Sequence, residues 1–292
     1  VFSISDIPMS EFDGSYMHNA MAFALYGSGL EADKISYPAK SAIEELNITE
    51  AALTDIDLSE FPKLRSLSLS GNKLTAVDLS KAPLLELATI SHNEISEVKF
   101  NNPKLWHLDL TENNLSEIDL NGLPEMYQMG LSHNNLSALD LTPVKSTLSV
   151  LSITNNNFTF ATLPVPADYP DITSYFYGNQ PDLEAEIVDM KVDLSSQAVA
   201  GGANTVYRWF LDGFTFNSDT GEAEGEELIA DDEFFVENGV TTFDAKYSKP
   251  VQALLTNDAF PNLYLKTNLL YFPTAIQAVE ADGGDVNAPV NV

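Results

Sequence analysis

The chain has 292 residues with 43 acidic and 14 basic side chains, a formal net charge of −29, and no cysteine. This charge disfavours nucleic acids and anionic lipid surfaces as partners. The lack of cysteine excludes disulfides, thiolate metal sites and cysteine nucleophiles. No stretch reaches the roughly 18 apolar residues of a membrane span. Because the chain starts at Val1, we expect that a signal peptide or lipid anchor has already been removed.

Residues 1–42 predict a helical cap at the N-terminus. Several apolar residues follow helical spacing here and precede a stop signal near Gly27: Phe12, Tyr16, Met17, Ala20, Met21 and Ala24. We expect this helix to cover the open end of the domain that follows, because that end would otherwise expose apolar core residues.

Residues 43–182 are organised by a repeated motif, apolar-x-x-apolar-x-apolar-x-x-Asn-x-apolar. Copies begin at steps of 20 to 22 residues, at Ile43, Leu64, Leu85, Leu105, Met126 and Leu148. A fixed period of this size indicates a solenoid, because one copy cannot bury its own apolar face. The motif resembles the leucine-rich repeat, which implies a parallel β-sheet on the concave side. Coils this short leave room only for extended or 3₁₀ segments on the convex side.

Two polar columns accompany the repeat. The first is predicted to satisfy backbone groups of the turn and of the neighbouring coil, and consists of Asn72, Asn93, Asn113, Asn134 and Asn156. The second predicts capped tight turns, with a calcium ladder as the alternative, and consists of Asp57, Asp78, Asp119 and Asp140. Beyond the sixth copy, Ile172–Tyr177 restores the strand pattern, with Asn179 nearby, and predicts a seventh, degenerate strand.

Residues 183–274 predict an all-β domain, since several short strands follow at sandwich spacing. Asp212-Gly213 indicates a hairpin turn after the strand that contains Trp209. The segment around Trp209 resembles the third strand of an immunoglobulin-like domain, and Leu255–Leu263 resembles the end of the module that follows leucine-rich repeats in Bacteroidetes-type surface proteins. That resemblance implies a β-sandwich with Trp209 in its core, and it places Ala253 where a strand cysteine often sits.

Two acidic segments of the C-terminal half are expected to lack packed structure. Residues 219–233 hold eight acids in fifteen residues and predict a solvated, mobile loop rather than a calcium site. Residues 275–292 are rich in Gly, Asp, Ala, Val and Pro and predict a linker or tail. This tail resembles the lead-in to the C-terminal sorting tails of secreted Bacteroidetes-type proteins.

The concave face gives the candidate binding site. Because neighbouring strands lie about 4.8 Å apart, equivalent residues of successive copies are expected side by side. The middle of this face gathers aromatic, histidine and carboxylate side chains, namely Trp106, Tyr127, His107, Gln128, Asp109, His92, His133 and Glu112. Exposed Trp and Tyr are common anchors of protein interfaces, and they also stack on sugar rings. The alternatives are that both aromatics pack against the sheet edge, or that the histidines and carboxylates hold a metal ion.

The sequence predicts binding without catalysis. No nucleophile elbow, P-loop or HExxH motif is present, and no cofactor is expected. The repeats resemble those of internalin-like adhesins, which implies a secreted or cell-surface protein that recognises a protein ligand on a host or neighbouring cell through its concave face. The all-β domain would act as a spacer. Two alternatives remain open, a glycan-binding accessory protein that uses Trp106 and Tyr127, and a structural element with no specific ligand.

Overall fold

A computed structural model of the chain describes residues 2–5, 10–16, 20–27, 29–37, 39–217, 220–244, 247 and 249–273. The chain divides into two compact units, each with its own core. The first consists of Val1–Phe158 and Thr162–Gln180, and the second of Thr159–Ala161 and Pro181–Val292. The predicted tail at 275–292 lies outside the described residues.

The first unit is built on β-strands that are only a few residues long. In chain order these are β1 (Phe2–Ser5), β2 (Phe12–Asp13), β3 (Ala22–Tyr26), β4 (Ile35–Ser36), β5 (Glu45–Thr49), β6 (Ser66–Ser68), β7 (Ala76–Asp78), β8 (Leu87–Thr89), β9 (Glu97–Lys99), β10 (His107–Asp109), β11 (Gln128–Gly130), β12 (Val150–Ser152) and β13 (Ser174–Phe176). Nine of these form one sheet in the order β1-β3-β5-β6-β8-β10-β11-β12-β13, and every pairing in it is parallel.

This sheet confirms the predicted parallel β-solenoid of leucine-rich-repeat type. In β6, β8, β10, β11 and β12 one buried residue lies between two half-buried ones, as Leu67 does between Ser66 and Ser68. The buried residues stack from coil to coil, since Leu67 pairs with Leu46 on one side and with Ala88 on the other. The degenerate strand is also present, because β13 pairs with β12 in register.

The N-terminal helical cap is wrong in the residues that the structure describes. Residues 22–26 form β3, which pairs with β5, and β1 pairs with β3. Phe23 and Leu25 are buried in the solenoid core, whereas Tyr16, assigned to the apolar helix face, is 80% exposed. A helix would leave the backbone edge of β5 unpaired, and two further strands satisfy it. The alternation of small Ala22 and Ala24 with large Phe23 and Leu25 fits a strand buried on both faces, and it describes this segment better than the helical spacing does.

The side opposite the sheet consists of short extended and 3₁₀ segments, as the coil length predicts. The 3₁₀ segments of this unit are Ala32–Lys34, Lys40–Ala42, Leu58–Glu60, Leu79–Lys81, Thr142–Val144 and Pro166–Asp168. Two extended segments, β7 and β9, pair with each other in parallel. The acidic column caps these turns as predicted: the side chains of Asp57, Asp78, Asp119 and Asp140 each accept a hydrogen bond from the backbone N–H two residues later.

The asparagine column, buried at four of its five positions and half-buried at Asn93, joins each coil to the preceding one. Asn113 Nδ2 donates to the carbonyls of Leu110 in its own coil and Ile90 in the preceding coil, and Asn113 Oδ1 accepts from the N–H of Ile95. The other four asparagines repeat this pattern, so their predicted structural role is confirmed. In the seventh copy the role passes to Gln180 rather than to Asn179, because Gln180 accepts from the N–H groups of Asn156 and Phe158.

The second unit is an all-β structure with antiparallel sheets. Its strands are β14 (Lys191–Asp193), β15 (Val199–Ala200), β16 (Ala203–Asn217), β17 (Glu222–Glu227), β18 (Phe234–Glu237), β19 (Val240–Phe243), β20 (Val251–Asn257) and β21 (Leu265–Lys266), and a 3₁₀ segment lies at Ser195–Gln197. A small sheet has the order β14-β19-β18, and a larger one has the order β15-β16-β20-β21 with β17 paired to β16.

The core of this unit surrounds Trp209, as predicted. Its ring is fully buried, donates through Nε1 to Thr241 Oγ1 over 3.2 Å and meets Phe243 edge-on at 4.9 Å. Trp209 also pairs with Ala253, which is buried. The antiparallel pairing agrees with an all-β domain, and the immunoglobulin-like assignment stays a prediction.

Two local predictions in this unit are wrong. Asp212 and Gly213, both at positive φ, form a bulge inside the continuous strand β16 rather than a hairpin turn. The acidic segment that follows is not a loop throughout, because it contains β17. Glu222, Ala223 and Glu224 of this strand pair with the end of β16. Acidic composition indicated a loop, but strand pairing does not require apolar side chains on an exposed edge.

Candidate functional site

The predicted concave residues lie on neighbouring strands in register. His107 of β10 pairs with Gln128 of β11, and Asp109 pairs with Gly130. Trp106 and Tyr127 come just before these strands, and the Tyr127 N–H donates to the Trp106 carbonyl over 2.9 Å. The parallel register therefore places the two aromatics on adjacent coils, with His107 and Gln128 beside them.

Both aromatic side chains are open to solvent. Trp106 is 41% exposed and Tyr127 is 49% exposed. The Trp106 ring meets the His107 ring edge-on, with centroids 5.6 Å apart. Toward the N-terminus the same row of the sheet is charged, since Arg65 lies between Glu44 and Glu86 and pairs with the Glu86 carboxylate. The row thus changes from ion pairs to aromatics at Trp106.

A hollow of about 290 Å³ lies in the concave sheet next to these aromatics. It is lined by His107, Asp109, Thr111, Gln128, Met129, Gly130, Val150, Ser152 and Phe176. Small residues, Gly130 and Ser152, lie in its centre, and larger side chains stand on either side. We call this feature the concave hollow.

Gly130 keeps the concave hollow open. A Cβ atom at this position would lie 2.8 Å from Asp109 Oδ1 and 3.1 Å from Thr111 Oγ1. The Asp109 carboxylate is held in place because its Oδ1 accepts the Thr111 N–H over 3.0 Å. A larger residue at position 130 would therefore displace the one carboxylate among the hollow's lining residues.

Phe176 is a candidate residue that sequence reasoning missed. It pairs with Ser152 across β12 and β13, lines the concave hollow and is 55% exposed. Its strand is fixed by the neighbouring Tyr175, whose hydroxyl donates to the Pro164 carbonyl and whose pKa is raised by burial. Extending the register of the concave face by one strand into the degenerate copy would have found it.

Three other predicted residues lie away from the hollow. His92, Glu112 and His133 occupy the turn directly after their strands, at φ near +55°, in a column that also contains Gly71 and Asn155. His92 Nε2 lies 3.1 Å from Glu112 Oε1, and His133 Nε2 lies 3.1 Å from Asn155 Nδ2. We call this column the left-handed row. The structure therefore groups His107, Asp109 and Gln128 in the hollow and places the other three in a separate polar row.

The geometry offers little for a metal ion. Among the residues that the structure describes, no three His, Asp or Glu side chains converge on a point that could hold one. The carboxylates of the Asp column are already engaged in hydrogen bonds. Bonds from the side chain and the backbone N–H of Ser59 lower the pKa of Asp57, and those from the side chain and the backbone N–H of Thr142 lower the pKa of Asp140. Contact through shape, aromatic area and hydrogen bonds is what this face can provide.

The fold has counterparts among solved structures. The functional domain of InlJ from Listeria monocytogenes, described as including a cysteine ladder, superimposes with a TM-score of 0.58 at 14% identity, covering 91% of this chain and 60% of that one. The APL1 leucine-rich repeat domain has a TM-score of 0.43 at 22% identity, covering 61% and 55%. InlP, also from Listeria monocytogenes, has a TM-score of 0.39 at 16% identity, covering 92% and 70%.

The likeness to InlJ concerns the fold alone, since the identity is low, and it supports a leucine-rich-repeat solenoid. The chain spans about three fifths of the length of that InlJ structure. No protein-family model matches the sequence, and no curated protein matches it. Within the described ranges, no helix has the length and apolarity that crossing a membrane requires.

Proposed function

We propose that this protein is a non-enzymatic binding protein that recognises a protein ligand on the concave face of its solenoid. The observation that carries the proposal is the concave hollow, with Phe176 at one side and the exposed Trp106 and Tyr127 next to it. Elsewhere the concave strands present mainly small or polar side chains, such as Ser66, Ser68 and Thr89. Ligand contact would therefore concentrate on β10 to β13.

Physical chemistry supports a protein as the ligand. Exposed aromatics bury a large area when a partner covers them, and few residues of this kind supply most of the binding energy of an interface. His107, Asp109 and Gln128 would provide polar contacts that fix orientation. They stand on a sheet whose backbone is paired on both sides, so little ordering is required on binding.

The compartment and partner belong to the same proposal. The resemblance to internalin-like repeats and the fold shared with the InlJ domain favour a secreted or surface-anchored protein whose ligand lies on a host or neighbouring cell. The high negative charge favours a neutral or cationic ligand surface. The second unit would hold the solenoid away from the cell surface.

One second candidate rests on the same aromatics. Trp106 and Tyr127 are open and adjacent, and they could stack on sugar rings of a glycan. Binding to a glycan array that disappears in Trp106→Ala and Tyr127→Ala variants would favour this candidate. A purely structural role predicts that neither a protein nor a glycan binds.

The experiment is a screen of displayed extracellular domains from animal and bacterial cells against the labelled protein. We expect that the domains that bind the wild type do not bind the double variant Trp106→Ala/Tyr127→Ala, and that they do not bind Phe176→Ala either. Tyr16→Ala is the matched control, because Tyr16 is an aromatic exposed elsewhere on the same unit. Unchanged binding by the Trp106, Tyr127 and Phe176 variants, with folding intact, would refute the concave site.

A further inference from the structure

A second candidate site lies in the C-terminal unit. A cleft of about 740 Å³ opens between its small sheet and its larger sheet. Phe234, Val236 and Asn238 line one wall, and Asn204, Thr205 and Tyr207 line the other. Its volume is within the range of about 300 to 1,000 Å³ that is usual for ligand-binding clefts. We call it the sheet-edge cleft.

The cleft exposes part of the core face of the small sheet. Thr241 and Phe243 of β19 contact Trp209, so their side of the sheet is the core side. Val236 pairs with Thr241, and Phe234 pairs with Phe243, so both belong to that side. Phe234 is buried, yet Val236 is 38% exposed. The core is therefore left uncovered at Val236.

The backbone is also open at this point, because β18 is the outer strand of its sheet. Asn238 and Gly239 have φ of 51° and 80°, which is the two-residue hairpin turn whose flanking residues exchange hydrogen bonds. In an antiparallel pair, hydrogen-bonded and non-hydrogen-bonded residue pairs alternate, so the next pair, Val236 with Thr241, exchanges no backbone hydrogen bonds. The N–H and C=O of Val236 therefore point away from β19. The carbonyl of Phe234 points the same way and accepts from the Asp231 N–H over 2.8 Å.

The charges around the sheet-edge cleft indicate which kind of segment could bind there. Asp231 lines the sheet-edge cleft, and Asp232 and Glu237 are exposed on the same loop and strand. The lining residues of the cleft include no Lys or Arg. A second copy of this chain would bring another net charge of −29 to the same edge, which disfavours self-association.

We propose that the sheet-edge cleft binds an extended, basic segment of a partner protein, which adds to β18 as a further antiparallel or parallel strand. The segment would exchange backbone hydrogen bonds with Val236. Its alternate apolar side chains would enter the cleft beside Val236 and Tyr207, and its basic side chains would face Asp231 and Glu237. This mode of recognition takes its affinity from the main chain and its specificity from the pockets for alternate side chains.

The probe is a synthetic peptide of alternating lysine and valine, seven residues long and blocked at both ends. Two control peptides are used, one with glutamate in place of lysine, and one in which every second backbone amide is N-methylated at unchanged charge. We expect the lysine peptide to bind and both controls to bind at least about tenfold more weakly. Binding should also slow hydrogen exchange of the Val236 amide, as strand addition requires.

Charge variants test the location without touching the core. Asp231→Asn with Glu237→Gln should weaken binding about fivefold, because two exposed ion pairs are lost. Asparagine tolerates the positive φ of Asp231. Glu222→Gln with Glu224→Gln is the matched control, since it removes the same charge from β17, and it should leave the affinity within about twofold.

Four outcomes would overturn the proposal. The N-methylated peptide could bind equally well, which would mean that charge alone attracts it. The Val236 amide could remain unprotected in the complex. Sedimentation could show a dimer that Val236→Lys dissolves, which would assign the edge to a second copy. A variant truncated after Pro273 could bind the peptide when the full chain does not, which would assign the cleft to the chain's own C-terminal segment.

Discussion

At the scale of the residue, polar side chains carry much of the order in the solenoid. The asparagine column was predictable, because a period of about 21 residues and an amide that both donates and accepts leave few other roles. The left-handed row was not predicted, because its positions hold mixed residue types: Gly, Asn and His favour positive φ, but Glu112 is of a type that seldom adopts it. The sequence predicted that His92, Glu112 and His133 belong to the concave face, whereas the structure places them in the turn that follows each strand.

Asn113→Ala should destabilise the first unit by about 3 kcal/mol. The change leaves the carbonyls of Ile90 and Leu110 and the N–H of Ile95 without their side-chain partner inside the protein. Asn114→Ala is the matched control, because Asn114 is the next residue and its side chain is exposed, so a change within about 0.5 kcal/mol is expected. Urea unfolding measures both, and equal effects would contradict the role of the column.

Two glycines of the solenoid are required for different reasons. Gly71 has φ of +70°, and an added Cβ would also lie 3.3 Å from the backbone nitrogen of Glu50. Gly71→Ala should therefore cost about 1–2 kcal/mol. Gly130 has no such φ, and its Cβ would meet only side-chain atoms of Asp109 and Thr111 rather than backbone, so Gly130→Ala should cost less than about 1 kcal/mol. Thermal unfolding of the two variants separates them, and an equal loss would contradict this assignment.

At the scale of the element, strands could be predicted from the sequence where the motif repeats, and they could not where the motif is incomplete. Six copies in register predicted the sheet from β5 to β12. The copy that contains β3 keeps Phe23, Leu25 and Leu30 of the motif but has Ser28 in place of the asparagine, and helical spacing competed with so short a match. In the second unit, the sequence Asp212-Gly213 is equally compatible with a hairpin turn and with a β-bulge. The pairing of β16 with β17 and β20 shows that it forms a bulge.

Substitutions in the N-terminal segment distinguish strand from helix. Phe23→Ala should destabilise the first unit by about 3–4 kcal/mol, since Phe23 is buried against Phe12 and Tyr37. Tyr16→Ala should change stability by less than about 0.5 kcal/mol, because Tyr16 is exposed. A helical cap predicts a substantial loss for Tyr16→Ala as well, and urea unfolding that showed such a loss would restore the helix.

At the scale of the whole molecule, charge opposes the compact state. The chain carries 43 acids against 14 bases, and the ion pairs of both units are exposed, as at Arg65 with Glu86 and Arg208 with Glu227. Exposed pairs of this kind contribute little, so repulsion among the excess carboxylates is the larger electrostatic effect. The excess of negative charge follows directly from composition, whereas the sheet order of the second unit required its strand pairings.

Salt should therefore stabilise the protein. Raising the salt concentration from about 0.01 M to about 0.5 M shortens the screening length from roughly 30 Å to a few ångströms and weakens the repulsion. We expect Tm to rise, by a similar amount in sodium chloride and potassium chloride, because screening does not depend on which monovalent cation is present. A lower Tm at high salt would mean that specific ion pairs outweigh the repulsion.

The central claim is that the concave hollow binds a protein ligand. The most direct measurement compares Gly130→Leu with Ser68→Leu as baits in the screen of displayed extracellular domains. Both changes put leucine at the same strand position of the same sheet, and only Gly130 lies in the hollow. We predict that every domain bound by the wild type still binds the Ser68→Leu variant and no longer binds the Gly130→Leu variant. Equal binding by both variants, or no domain bound by the wild type, would contradict the claim.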